Sequence, residues 1–253
     1  TGEEYEFLLR DAKSKYRPEG TTLYIAYKYF VSLIRFFIQN IERISVVAGL
    51  IALILNLPEQ QKKSHYEAWQ VISLAKGHSG SGGRIQALQD LAEDGVSLAG
   101  VSVETAYLSG IKLPGADLTH ASFKYSKLSK SNLSGADLAG AMLEGADFRD
   151  AILRGAILRG ANLSNTDLFC TDLGGADLNG AYLRSAKLVG TDFSGANLNG
   201  DDLYSANLID ANLNGADLNG ADLKNADLRD ADLNGAKLGT GISCKRLCSK
   251  NGI

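Results

Sequence analysis

Residues 211–238 read ANLNG ADLNG ADLKN ADLRD ADLNG AKL, a five-residue unit repeated with almost no variation. Followed backward, the same unit reaches Leu98. A large apolar residue stands at every fifth position from Leu98 to Leu238, 29 positions in all, of which 25 are Leu, three are Phe (Phe123, Phe148, Phe193) and one is Val103. Two residues before these centres a small residue is usual, Ala in 20 of the 29 cases. Asp or Asn usually lies between, and Gly often follows two residues after.

A period of five suits neither regular element. In a helix, positions i and i+5 fall about 140° apart, so no single apolar stripe forms. In one extended strand, alternate copies would face opposite sides. Gly, Asn and Asp are turn residues. The chain is therefore expected to turn once per repeat, with the Ala and the centre both pointing inward. Those two are spaced by two residues, which suits a short extended step.

On these residues the stretch resembles the pentapeptide-repeat family, whose unit is A(D/N)LXX. The resemblance implies a right-handed quadrilateral β-helix, a β-solenoid with four repeats per coil. It would have about seven coils here and, at the inter-strand spacing, a length of about 34 Å. Leu98, Phe123, Phe148, Phe193 and Leu238 would then be structural residues filling its interior. The turn between 77 and 83, followed by ALQDL at 87–91 and GVSLAG at 95–100, is similar to repeat proteins common in cyanobacteria.

Several positions depart from the pattern. Val96, Val101 and Ile111 replace the small inward residue at the start, as expected for an end that receives a cap. Asp201 takes an inward position whose column neighbours are Ala181 and Ala221. A bare buried carboxylate is costly, so its carboxylate is expected to bond locally or turn out at a corner. The Asp residues before the centres form columns, among them Asp172, Asp192 and Asp232. Their short side chains are expected to bond backbone N–H groups at the turns.

Ahead of the repeats, apolar spacing predicts helices over 3–15, 22–56, 62–76 and 84–93. The organisation expected is a helical N-terminal domain at 1–83, a capping helix at 84–95, repeats at 96–240 and a C-terminal cap or tail at 241–253. Leu88, with Ile85 and Leu91, is expected to close the apolar end of the repeats. The longest uncharged run, residues 44–57, would span about 21 Å as a helix, short of a bilayer core of about 30 Å. A buried helical domain is the first reading of 22–57. Membrane contact through those residues and an oligomer interface are the alternatives.

Chemistry is sparse. Lys plus Arg number 26 and Asp plus Glu 29, for a net charge of -3, so direct nucleic-acid binding is not expected. The charge is uneven: residues 96–165 carry +1 and residues 166–240 carry -7. Gly77 and Gly82 have phosphate-loop spacing, but Gly83 and Arg84 follow where Lys and Ser or Thr are needed. His65, His78 and His120 are isolated, and the nonapeptide calcium pattern is absent. No catalytic residue, metal or cofactor is assigned. Cys244 and Cys248 are candidates for a disulfide worth about 2 kcal/mol. Such a bridge would point to a lumenal or periplasmic setting; without it a cytoplasmic setting is equally open.

The function expected is a non-enzymatic scaffold or protein-binding rod, its partner an unidentified protein. The alternatives are a membrane-associated repeat protein anchored by its N-terminal helices and, as the family resemblance implies, a DNA mimic that inhibits a type II topoisomerase.

Overall fold

The computed structural model describes residues 28–30, 32, 59–74 and 83–239. The chain divides into two compact units, Thr1–Lys63 and Ser64–Ile253. Residues 28–30 and 32 are helical and exposed. A helix, α1, covers residues 59–74. Its start precedes the expected Lys62 because Glu59, Gln60 and Gln61 are good helix formers without apolar periodicity to mark them. Glu59 also pairs with Lys62 one turn on. Cys244, Cys248 and nearly all of 22–57 lie outside the described residues. Among the described residues, no helix is long and apolar enough to cross a membrane.

Helix α2, Arg84–Glu93, opens from Gly83, whose φ of 81° is left-handed. It ends in a Schellman closure: Val96 N–H donates to Leu91 C=O, and Gly95 N–H to Ala92 C=O. The chain passes from that closure straight into the first repeat.

From Leu98 onward each repeat is one β-turn. The N–H of Val101 donates to the C=O of Leu98, and the same three-residue bond recurs along the chain. The third turn residue is left-handed throughout: every fifth residue from Gly95 to Gly235 has φ between 52° and 75°. A left-handed third position is what favours Gly or Asn there. Between turns, one residue per repeat pairs in parallel with the residue twenty ahead, as Ser102 with Ser122 and Asp117 with Asp137. Leu98 N–H donates to Asp117 C=O, and Ser122 N–H to Val101 C=O, so backbone groups are satisfied tier to tier.

This corrects the expected right-handed quadrilateral β-helix. Among the described residues, regular strand is confined to one parallel pair, β1 (Asp217–Leu218) with β2 (Lys237–Leu238). Elsewhere the pairing is by isolated bridges and the backbone is mostly turn. The physical reason is the period itself. A turn every fifth residue leaves a single residue free to bridge, too few to build the strand-walled coils of a β-solenoid. What the chain forms is a stack of turns.

The stack is nonetheless packed through its interior. Leu98, Phe123, Phe148 and Phe193 are fully buried, as are the intervening centres through Leu218. The small residues two positions earlier are buried with them, including Ala106, Ala141 and Ala181. Each fully buried Leu contributes about 1.5–3 kcal/mol relative to exposure. Leu223, Leu228, Leu233 and Leu238 in the last tier are only partly buried.

Candidate functional site

Among the described residues, no group of three or more His, Cys, Asp or Glu side chains is placed to hold a metal ion. The surface available for recognition is the outward lattice of the stack, and its order comes from the turns. Every Asp or Asn directly before a centre, seventeen side chains, accepts the backbone N–H two residues on. Oδ1 is thus fixed at the turn, and in the Asp residues Oδ2 is left for basic neighbours. Asn197 donates to Asp177, and Asn212 to Asp192, each at 2.9 Å, so the columns are also tied vertically.

Basic side chains thread this lattice. Arg149 forks onto Asp147 at 2.8 Å through both Nε and Nη2, and Lys127 lies 3.7 Å from the same carboxylate. The Arg149 hydrogen bond holds the Asp147 carboxyl below its usual range, against the opposing effect of its burial. Arg154 bridges two tiers, reaching Asp172 at 2.9 Å and Asp192 at 3.4 Å. Arg159 pairs with Asp177, Arg184 with Asp202 and Arg229 with Asp227. Arg184 also lies over the Tyr204 ring, 5.0 Å from its centroid.

The distal carboxylates are not all matched. Asp210, Asp222, Asp230 and Asp232 belong to none of the ion pairs formed among the described residues. Next to Asp210 in sequence ends a short outward column of Phe169, Val189 and Ile209, spaced by twenty residues, with Phe169 46 % exposed. Sequence reading counted the net acidity of this half but missed both features. The twenty-residue spacing would have exposed the apolar column.

The sequence-assigned residues are distributed through the interior rather than gathered. Leu88 is fully buried in the same cluster as Leu98 and Val101. Leu238 sits at the far, partly open tier. Asp201 is buried, its Oδ1 accepting the N–H of Ala181 at 2.9 Å. Gln89, which the sequence did not single out, accepts the N–H of Lys112 through Oε1 at 2.9 Å. It supplies a tier-edge amide with the partner that no preceding repeat provides.

Eight copies of the family pattern described as "Pentapeptide repeats" match over residues 104–138, 131–168, 171–200 and 202–239, more than half of the chain. The chain belongs to the pentapeptide-repeat family. Among solved structures, this pentapeptide-repeat protein is similar to HetL, a pentapeptide repeat protein involved in heterocyst differentiation regulation from the cyanobacterium Nostoc sp. strain PCC 7120. The identity is 28 %, covering 58 % of this chain and 86 % of that one, with a TM-score of 0.33. It is similar to alr5209, a pentapeptide repeat protein also from Nostoc, at 38 % identity over 34 % of this chain and 84 % of that one, with a TM-score of 0.30. It is also similar to QnrB1, a plasmid-mediated fluoroquinolone resistance protein, at 25 % identity over 55 % of this chain and 80 % of that one, with a TM-score of 0.35. No curated protein matches the sequence.

Proposed function

We propose that this pentapeptide-repeat protein is a non-enzymatic scaffold that binds a protein partner through the outward side chains of its distal repeats. The observation that carries this reading is the clamped lattice. Side chains before the centres are held by turn hydrogen bonds and by tier-to-tier ion pairs, so little conformational entropy is left to lose on binding. Asp222 and Asp232 within that lattice, and Asp210 and Asp230 at the left-handed turn positions, keep carboxylates that no ion pair among the described residues uses. A basic protein surface is the complement. In this reading α2 is the lid of the apolar end, and Leu88 is its central side chain.

The test is affinity capture with the intact chain and with a variant carrying Asn at 210, 222, 230 and 232. The expected result is a partner retained by the wild type and released by the variant, with the melting midpoint of the two matched. A partner retained equally by both would reject the distal carboxylates as its contacts.

Mimicry of duplex DNA toward a type II topoisomerase is a second reading, favoured by the -7 net charge of residues 166–240. Arg184, Lys187, Arg229 and Lys237 interrupt that charge, each paired to an Asp of the same stack. Supercoiling by DNA gyrase, measured with increasing amounts of the chain, separates the two. Inhibition that the four-Asn variant loses would establish mimicry; unaltered supercoiling would leave the scaffold reading.

A further inference from the structure

The inward position two residues before each centre holds Ala, Ser or Thr through most of the stack. Most buried hydroxyls there reach carbonyls, as Thr171 does to Phe148 and Thr191 to Leu168, each at 2.8 Å, while that of Ser131 has no partner. Asp201 breaks this rule. Its column runs Val101, Ala121, Ala141, Ala161, Ala181, Asp201, Ala221. The residue is 1 % exposed, and its Oδ2 is buried with no hydrogen-bond partner. The neighbouring tiers are tied to Asp201 by its backbone as well, since Asp222 N–H donates to its C=O at 2.9 Å.

The surrounding charges give a carboxylate no help. Asp177 is the charged group that bears on Asp201 through space, and it is of like sign. The adjacent Asp202 takes an outward position and is paired with Arg184. Asp222, one tier on, is outward and forms no ion pair among the described residues. A negative charge with one unsolvated oxygen in an apolar interior is unfavourable unless it is paired. A neutral carboxylic acid keeps the Ala181 hydrogen bond and avoids that cost.

We propose that Asp201 is carried as a neutral acid inside the folded stack and acts as an alkaline-sensitive release. Loss of its proton places an uncompensated charge between Ala181 and Ala221 and loosens the tiers on either side. The inference is independent of the partner-binding reading above.

Burial is the dominant influence on the group and raises its pKa from 3.8 to about 8, with the Ala181 and Gly180 N–H groups opposing and Asp177 adding. The direction of the pH effect follows. Between the two values the unfolded chain has lost this proton and the folded chain still holds it, so stability falls as pH rises. The full contribution is present below about 4 and is gone above about 8.

The experiment is urea unfolding of the full chain and of Asp201→Asn from about pH 5 to about pH 9 at fixed ionic strength. Asn keeps an acceptor for Ala181 and cannot ionise. The wild-type unfolding constant divided by that of the variant is expected to rise about tenfold per pH unit and to level off above about pH 8. A ratio independent of pH would overturn the proposal. Amide exchange gives the local readout. Corrected for base catalysis, protection of Ala181 and Asp222 should fall above about pH 8 in the wild type and hold in the variant. A uniform loss along the stack would refute a local release. Should Asp201→Asn not fold, Asp201→Ala serves with infrared spectroscopy. The folded wild type at neutral pH should show a protonated-acid C=O band that the Ala variant lacks, and its absence from the wild type would sink the idea.

Discussion

Thr105 is held at φ 57°, a left-handed conformation that a β-branched residue adopts at a cost. Its side chain is exposed and bonds only the carbonyl of its neighbour Glu104, at 2.7 Å. Thr105→Gly should therefore stabilise the stack by about 1 kcal/mol, read from chemical denaturation. The opposite holds where Gly makes room as well as a turn. A Cβ on Gly145 would stand 2.5 Å from the Tyr125 ring, and one on Gly140 2.5 Å from the His120 ring. Gly145→Ala should destabilise by about 1–3 kcal/mol, from the clash together with the φ of 66°. Adding Tyr125→Ala should recover the steric share, and a double-mutant cycle showing no coupling would refute the contact. The repeat consensus alone could not reveal these pairs. The residue that leans on each Gly is twenty positions earlier and varies from tier to tier.

At the scale of the element, α2 makes two kinds of contact. Leu88 and Leu91 are buried in one cluster with Leu98 and Val101, and Gln89 satisfies the Lys112 amide. Leu88→Asp is expected to cost several kcal/mol or to drive association through the uncovered end. Gln89→Ala should cost only about 1 kcal/mol and leave the chain monomeric. Thermal melts with light scattering distinguish the two outcomes. The position of α2 was legible from the spacing of Ile85, Leu88 and Leu91; the role of Gln89 was not, because a side-chain-to-amide bond has no periodicity. The repeat was the most legible element of all, inward Leu and Ala included. It was also over-read. A pattern of Ala and Leu two residues apart looks like strand, yet the left-handed fifth residue stops each extension after one bridging position. Among the described residues, two-residue strands appear only at 217–218 and 237–238.

For the molecule as a whole, the titrating groups pull in opposite directions. Asp117, Asp147, Asp217 and Asp227 have depressed carboxyl pKa values, each set first by a hydrogen bond: from Ser97, from Arg149, from the Asn219 amide and from Arg229 respectively. Their stabilisation is present above the ordinary carboxyl value of 3.8 and is lost as pH falls through the depressed values. Asp201 loses its contribution as pH rises instead. From these groups the stability of the stack should therefore peak at about pH 4 and decline on both sides. A urea midpoint still rising from pH 6 to pH 9, on the order of that range, would contradict the assignment. Salt should matter less than the number of ion pairs suggests, since most involve exposed Arg or Lys and contribute about 0–1 kcal/mol each.

The twenty-residue return has a consequence for heredity. Each side chain's vertical neighbours are set by its number modulo twenty, as in Asp177, Asn197 and Asp217. Insertion or loss of one codon would turn every later Leu out of the interior. A change of five codons would keep Leu inward but move each later residue onto a different wall, setting Asp against strangers. Only a duplication or deletion of twenty codons leaves every later residue in its own column. Lineages of this chain are thus expected to differ in length by whole tiers, with indels between 98 and 238 falling in multiples of twenty.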